Sequence, residues 1–239
     1  MKMDIRVFPD LPALNGAVLK EIDRLIAEGV AQRGRFAIAL SGGHTPEALY
    51  TLWAQRDRTL TPWDKVHLFW GDERYVHADD PLSNYRMTRE TLISRVPIPT
   101  ENVHPFRTEL PSPEATAADY ESTLRGFFGN AAPQFDLQLQ GIGEEGHTAS
   151  IFPGSPALDE KQRWVMPVIA PANPPQRITL TPVVLNQGRN TYFLVAGASK
   201  KEIVQKLRSE PEGKPSEYPA RRLQPVGGAI WYLDQAAAG

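Results

Sequence analysis

The sequence predicts an α/β fold, a mostly parallel sheet with helices on both faces. Two observations carry that prediction. Short apolar runs recur with amphipathic helical patterns between several of them. Three of those runs also end directly in glycine- or charge-rich loops, where a parallel sheet usually meets its ligand.

The elements follow in order. Asp4–Phe8 reads as an opening strand. Leu11, Leu14, Val18, Ile22, Leu25, Ile26 and Val30 recur at helical spacing, a helix of about five turns. Phe36–Leu40 is a compact apolar run ending in Ser41-Gly42-Gly43, and Thr45-Pro46 reads as the N-cap and first residue of a helix to Gln55. Val66–Trp70 is the next strand and runs into Gly71-Asp72-Glu73-Arg74. Ser83 to Ile93 is helical, Pro97 to Pro113 is a proline-rich loop, and Glu114 to Phe128 is helical again. Phe135–Gln140 forms a strand ending in Gly141-Ile142-Gly143. Further strands are expected at Trp164–Ile169, Arg177–Leu180, Tyr192–Ala196 and Ala229–Leu233, with a helix over Lys200–Leu207. No repeat or linker divides the chain; Pro171–Pro175 is too short for one, so residues 1–239 are expected to form a single domain.

Composition excludes several functions. The 239 residues contain no cysteine, which removes disulfides, thiolate metal sites and a cysteine nucleophile together. With a net charge of −2 and mixed signs, no nucleic-acid or membrane partner is expected. No stretch has the length of a signal peptide or membrane span, so a cytoplasmic location is expected. The nucleophile elbow G-x-S-x-G is absent. His44, His67, His77 and His104 are scattered without metal-ligand spacing and read as surface or capping residues, and no metal site is expected.

Three loops could carry chemistry. In Ser41-Gly42-Gly43-His44-Thr45-Pro46 the glycines let backbone approach a ligand, and the following helix aims N–H groups and its positive dipole end at the same spot. Such a turn suits a phosphate, or serves strand-to-helix geometry alone. Arg74 and Asp72 read either as a substrate clamp and an orienting acid in a cleft, or as a solvated turn. The most informative loop is Gly141-Ile142-Gly143-Glu144-Glu145-Gly146-His147-Thr148-Ala149-Ser150. Histidine titrates nearest neutrality and is the natural base for activating water, with Glu145 as a possible orienting acid; a structural histidine is the alternative. Arg177 begins a strand, and Lys200 lies at a strand-to-helix junction suited to meeting an anion.

In this order the loops resemble the 6-phosphogluconolactonases, which form a larger group with the glucosamine-6-phosphate deaminases. Ser41-Gly42-Gly43 with Thr45-Pro46, Trp70-Gly71-Asp72-Glu73-Arg74, Ser83-Asn84-Tyr85 and Gly141-Ile142-Gly143 with Gly146-His147-Thr148-Ala149-Ser150 carry the likeness. Phe152-Pro153-Gly154, Arg177-Ile178-Thr179 and the closing Trp231 to Ala237 extend it nearly end to end. The resemblance implies a Rossmann-like sheet, no cofactor, and a small sugar-phosphate lactone as substrate, 6-phosphoglucono-δ-lactone of the pentose phosphate route. A monomer is favoured. It implies His147 as catalytic base and Asp72 and Arg74 as charged substrate contacts. Ser41, Gly42, Gly43, Asn84, Arg177 and Lys200 fall in the substrate- and phosphate-binding region. Glu145 departs from the aspartate usual before Gly-His. The deaminases follow their histidine with Asn-Glu-Pro and place tyrosine after Asp-Glu; here Ile151-Phe152-Pro153 and Arg74 stand instead. A sugar-phosphate sensor with an added helix-turn-helix finds no room before Asp4.

Overall fold

The computed structural model describes residues 3–56, 59–129, 131, 133–211 and 216–239. In chain order the elements are β1 (Asp4–Phe8), α1 (Leu11–Arg33), β2 (Phe36–Leu40), α2 (His44–Gln55), β3 (Val66–Trp70), β4 (Asp72–Arg74), α3 (Asn84–Thr91) and α4 (Pro113–Phe128). They continue with β5 (Leu137–Gln140), β6 (Val165–Ile169), β7 (Gln176–Leu180), α5 (Pro182–Leu185), β8 (Thr191–Val195), α6 (Lys201–Ser209), α7 (Pro219–Arg222), β9 (Ala229–Asp234) and α8 (Gln235–Ala238). No described helix is long and apolar enough to cross a membrane.

Helix boundaries follow local chemistry. Asp10 caps α1 by accepting from Ala13 N at 2.8 Å, and Gly34, at φ 71°, ends it in the left-handed region that glycine tolerates best. The expected cap at α2 is displaced. The helix begins at His44, Thr45-Pro46 lies inside its first turn, and Gly43 stands at the cap with no side-chain hydrogen bond.

Six strands form a parallel sheet in the order β1-β9-β8-β5-β2-β3, flanked by helices. Its central strands β2, β5 and β8 are buried throughout, as a sheet covered on both faces requires. From β2 the chain steps outward to β3, whereas from β5 it steps the other way to β8 and β9. The order therefore reverses between β2 and β5, where a crevice opens at the carboxyl ends.

The expected alternation misses a second sheet. Gly71-Asp72-Glu73-Arg74 is not wholly a loop, since Asp72–Arg74 forms β4, which pairs antiparallel with β7, and β7 pairs antiparallel with β6. Only residues 170–175 join β6 to β7, fewer than a parallel crossover needs, so that pair has to be antiparallel. The apolar core is nonetheless continuous across both sheets. His67 and His104 also depart from expectation. They stack at 5.6 Å in a cluster with Phe69 and Phe127, and burial lowers His104 to about 4.

Two strand ends are fixed by the same device. The buried Tyr50 hydroxyl accepts from Ser41 N at 3.0 Å and donates to Ser41 O at 2.9 Å. The buried Tyr120 hydroxyl accepts from Trp70 N at 2.8 Å and donates to Trp70 O at 3.2 Å. Each satisfies both backbone groups of a residue entering a loop, where the ladder stops supplying partners. Replacing Tyr50 by Phe strands a buried N–H and C=O, so urea unfolding of that variant is expected to show a loss of about 1–3 kcal/mol. A loss under about 0.5 kcal/mol contradicts this role for the hydroxyl.

Candidate active site

Loops leaving β2, β3, β5 and β8 meet at this carboxyl edge, and hydrogen bonds stitch three of them together. Gly71 N donates to Leu40 O at 2.9 Å, and a Cβ on Gly141 would stand 3.6 Å from Ser41 Oγ. Ser150 Oγ donates to Asp72 Oδ2 at 2.6 Å, and Thr148 Oγ1 donates to Gln140 Oε1 at 2.9 Å. Between those two anchors Ala149 takes φ 47°, a left-handed conformation uncommon for alanine and a local strain held by the bonds on either side.

His147 sits in this turn, its ring 25% exposed and stacked on Phe152 at 4.1 Å. Nδ1 lies 3.1 Å from Glu145 Oε1, within ion-pair reach, and the atom is closed off from water. A Cβ on Gly143 would overlap Nδ1, so only glycine lets the ring settle there. With that edge walled in, Nε2 is the edge left for chemistry. Burial lowers the imidazole below its usual value; Glu145 and Asp72 pull it up and Arg177 pushes it down, and burial prevails. The ring is therefore neutral at neutral pH, the form a base needs.

Arg74 and Arg177 face each other across the β4–β7 ladder, so their side chains share a side of the sheet. Neither forms an ion pair with a carboxylate among the described residues. Arg74 Nη1 donates to Leu82 O while its Nε is buried without a partner, and Arg177 Nε donates to Pro174 O at 3.1 Å. Burial, with Arg74 beside it, lowers Arg177. Asp72 and Glu73 act on Arg177 in the opposite sense, without forming an ion pair with it.

The remaining expected residues divide. Ser41, nearly buried, has its backbone committed to Tyr50, whereas a Cβ on Gly43 would meet nothing within 4 Å. With no side-chain cap on α2, its first N–H groups face the crevice unclaimed. Asn84, expected among the substrate contacts, is buried behind Asp72, its Nδ2 donating to Asp72 O at 3.0 Å. Lys200 follows β8 at the start of α6, and no contact ties it to His147 or the arginines.

Sequence reasoning missed Ser150, Phe152 and Glu73. It also missed Tyr218, whose ring lies where a Cβ on Gly146 would be and so backs the histidine loop. Ser150, Phe152 and Glu73 lie inside the motifs that carry the resemblance, which was their signal, whereas Tyr218 had none. Among the described residues no three or more His, Cys, Asp or Glu side chains cluster as metal ligands would.

A sequence model of the glucosamine-6-phosphate isomerases/6-phosphogluconolactonase family matches residues 9–231. The chain belongs to that family. It is 46% identical to a 6-phosphogluconolactonase of Synechocystis over 89% of this chain and 87% of the relative. Its identity to the corresponding protein of Nostoc is 41%, over 99% and 98% of the two chains. The solved structure of a 6-phosphogluconolactonase from Trypanosoma cruzi superposes with a TM-score of 0.86 at 31% identity, covering 99% of this chain and 96% of that one.

The electrostatics of His147 are directly measurable. An NMR titration is expected to place its midpoint below 6.5, and Glu145→Gln, by removing a carboxylate that holds the ring up, is expected to move it lower still. A native midpoint above 6.5, or an upward shift in the variant, contradicts this balance.

Proposed function

We propose that this chain hydrolyses 6-phospho-D-glucono-1,5-lactone to 6-phosphogluconate in the cytoplasmic pentose phosphate route, with His147 as general base. The reading is carried by one imidazole, its Nδ1 edge sealed, near enough to Asp72 and Arg177 to feel both charges, in a loop leaving the strand at the reversal of order. The family membership and the lactonases among its relatives support the same reaction.

Each group then has a task. The substrate phosphate binds the Gly42–Gly43 backbone and the uncapped start of α2, with Lys200 and Arg177 supplying charge. Anchoring turns the lactone carbonyl toward His147. Nε2 takes a proton from water as the water oxygen adds to the carbonyl carbon, and the imidazolium returns that proton to the ring oxygen as the C–O bond breaks. Arg74 stabilises the oxyanion formed between these steps. Asp72, held by Ser150 and Asn84, faces the substrate hydroxyls and favours the imidazolium as it forms. Glu145 fixes the ring from behind. Asn84 and Ser41 support rather than touch the substrate in this scheme. The deaminase reaction is disfavoured because Phe152, not an acid, packs against the histidine.

Lactone decay, corrected for the spontaneous rate, is expected to be strongly accelerated by the native protein. His147→Ala is expected to lower kcat by about 10²–10⁴-fold, the usual worth of positioned proton transfer. The enzymatic rate should fall to half its plateau only at a pH below 6.5, because the lowered imidazole stays neutral to a lower pH than an ordinary one. Native protein that leaves the spontaneous rate unchanged refutes the lactonase reading. An active His147→Ala refutes the base assignment, and ammonia released from glucosamine 6-phosphate favours the deaminase.

A further inference from the structure

Glu73 is almost wholly buried, at 2% exposure, and no cation pairs with it among the described residues. Its carboxylate instead collects four donors. Oε1 accepts from Arg74 N and Asn84 N, both at 2.8 Å, and Oε2 accepts from Tyr85 N at 2.7 Å and Ser83 Oγ at 3.1 Å. Two of these N–H groups belong to the first turn of α3, which would otherwise be open to a ligand as the start of α2 is. The protein has filled this helix start with its own anion. Burial, with Asp72 adjacent, pushes Glu73 up to about 7 despite those bonds. A buried carboxylate without a cation is costly, and an apolar residue would pack the same space at less cost.

What depends on the clamp lies on the substrate side. The Leu82 carbonyl, one residue before Ser83, holds the Arg74 guanidinium. Asn84, pinned through its backbone N–H, holds Asp72 through Nδ2. The same side chain packs so closely on Gly42 that a Cβ there would overlap Oδ1. Arg74, Asp72 and the Gly42–Gly43 turn thus all take their positions from residues 82–84.

We propose that Glu73 is a positioning residue, its carboxylate clamping residues 83–85 onto β4 so that Arg74 and Asp72 are presented to the substrate. This rests on the hydrolase reading above. Glutamine at this position keeps the shape but turns one acceptor into an NH₂ group facing N–H donors.

The test is a double-mutant cycle on lactone hydrolysis with the full chain. Glu73→Gln is expected to lower kcat/KM at least about tenfold, and Glu73→Asp, which keeps the charge, to recover part of the loss. Arg74→Ala is expected to be costly in the native background and to cost less than about threefold in Glu73→Gln, because the arginine is already misplaced there. Losses that multiply independently overturn the proposal. If Glu73→Gln does not fold, the same cycle is run with Ser83→Ala, which removes one of the four donors, and the same non-additivity is required. Hydrogen exchange reads the clamp without substrate: amides over residues 74–85 should exchange at least about tenfold faster in the variant while those of β2 and β5 hold. Unchanged exchange overturns the proposal whether or not the chain is a lactonase. Local loosening in a protein with no lactonase activity overturns the hydrolase reading alone.

Discussion

Where a parallel strand ends, its last peptide groups lose their ladder partners while still inside the protein, and every feature of the crevice depends on how those groups are satisfied. At β2 and β3 the solution is a tyrosine hydroxyl that accepts and donates at one residue. After β5 the turn is tied by side chains instead, Thr148 Oγ1 donating to Gln140 Oε1 and Ser150 Oγ to Asp72 Oδ2. Because each tyrosine hydroxyl holds the N–H and the C=O of one residue, in two successive peptide units, the loops after β2 and β3 leave their strands in a fixed direction. That rigidity lets turns distant in sequence converge on a shared volume.

The distribution of donors around this volume is uneven in an informative way. At α3 the helix start is filled from within, by Glu73 and by Ser83, whose Oγ accepts from Arg86 N. At α2 it is left without a cap, beside two glycines. Glycine at a helix start costs only a few tenths of a kcal/mol against serine or aspartate, and Gly43, at φ 98°, holds a backbone that those residues rarely adopt, so α2 has no side-chain cap where α1 has Asp10. The arginine pair is uneven too: two cations side by side repel, neither forms an ion pair among the described residues, and Asp72 and Glu73 nearby offset part of the repulsion at Arg177.

Much of this was legible in the sequence, and the failures have physical causes. His147 could be found because a glycine-rich turn after an apolar strand is recognisable in a local window. The antiparallel sheet could not, since β6 and β7 have the same apolar character as parallel strands; only the short connection over residues 170–175 distinguished them. Tyr50 and Tyr120 lie on helical core faces, and nothing local says that their hydroxyls reach a strand end. Glu73 beside Asp72 reads as a solvated acidic turn because its partners lie ten residues on. For Asn84, spacing says nothing of the bond from its Nδ2 to Asp72 O or of its packing on Gly42, contacts that only the folded chain brings together.

The replacement of the usual aspartate by Glu145 turns on magnitudes. A carboxylate near Nδ1 raises an imidazole, and one fully desolvated could hold it protonated at neutral pH, which would remove the base. Here the Glu145 side chain is 47% exposed, so water screens it. The ring, stacked on Phe152 and walled by Gly143, is far more enclosed than the acid beside it. Desolvation acts on the ring at full strength while the opposing charge acts at a discount, so the neutral form wins. The longer side chain therefore leaves the ring below its usual value, with the acid near Nδ1 and too exposed to outweigh burial.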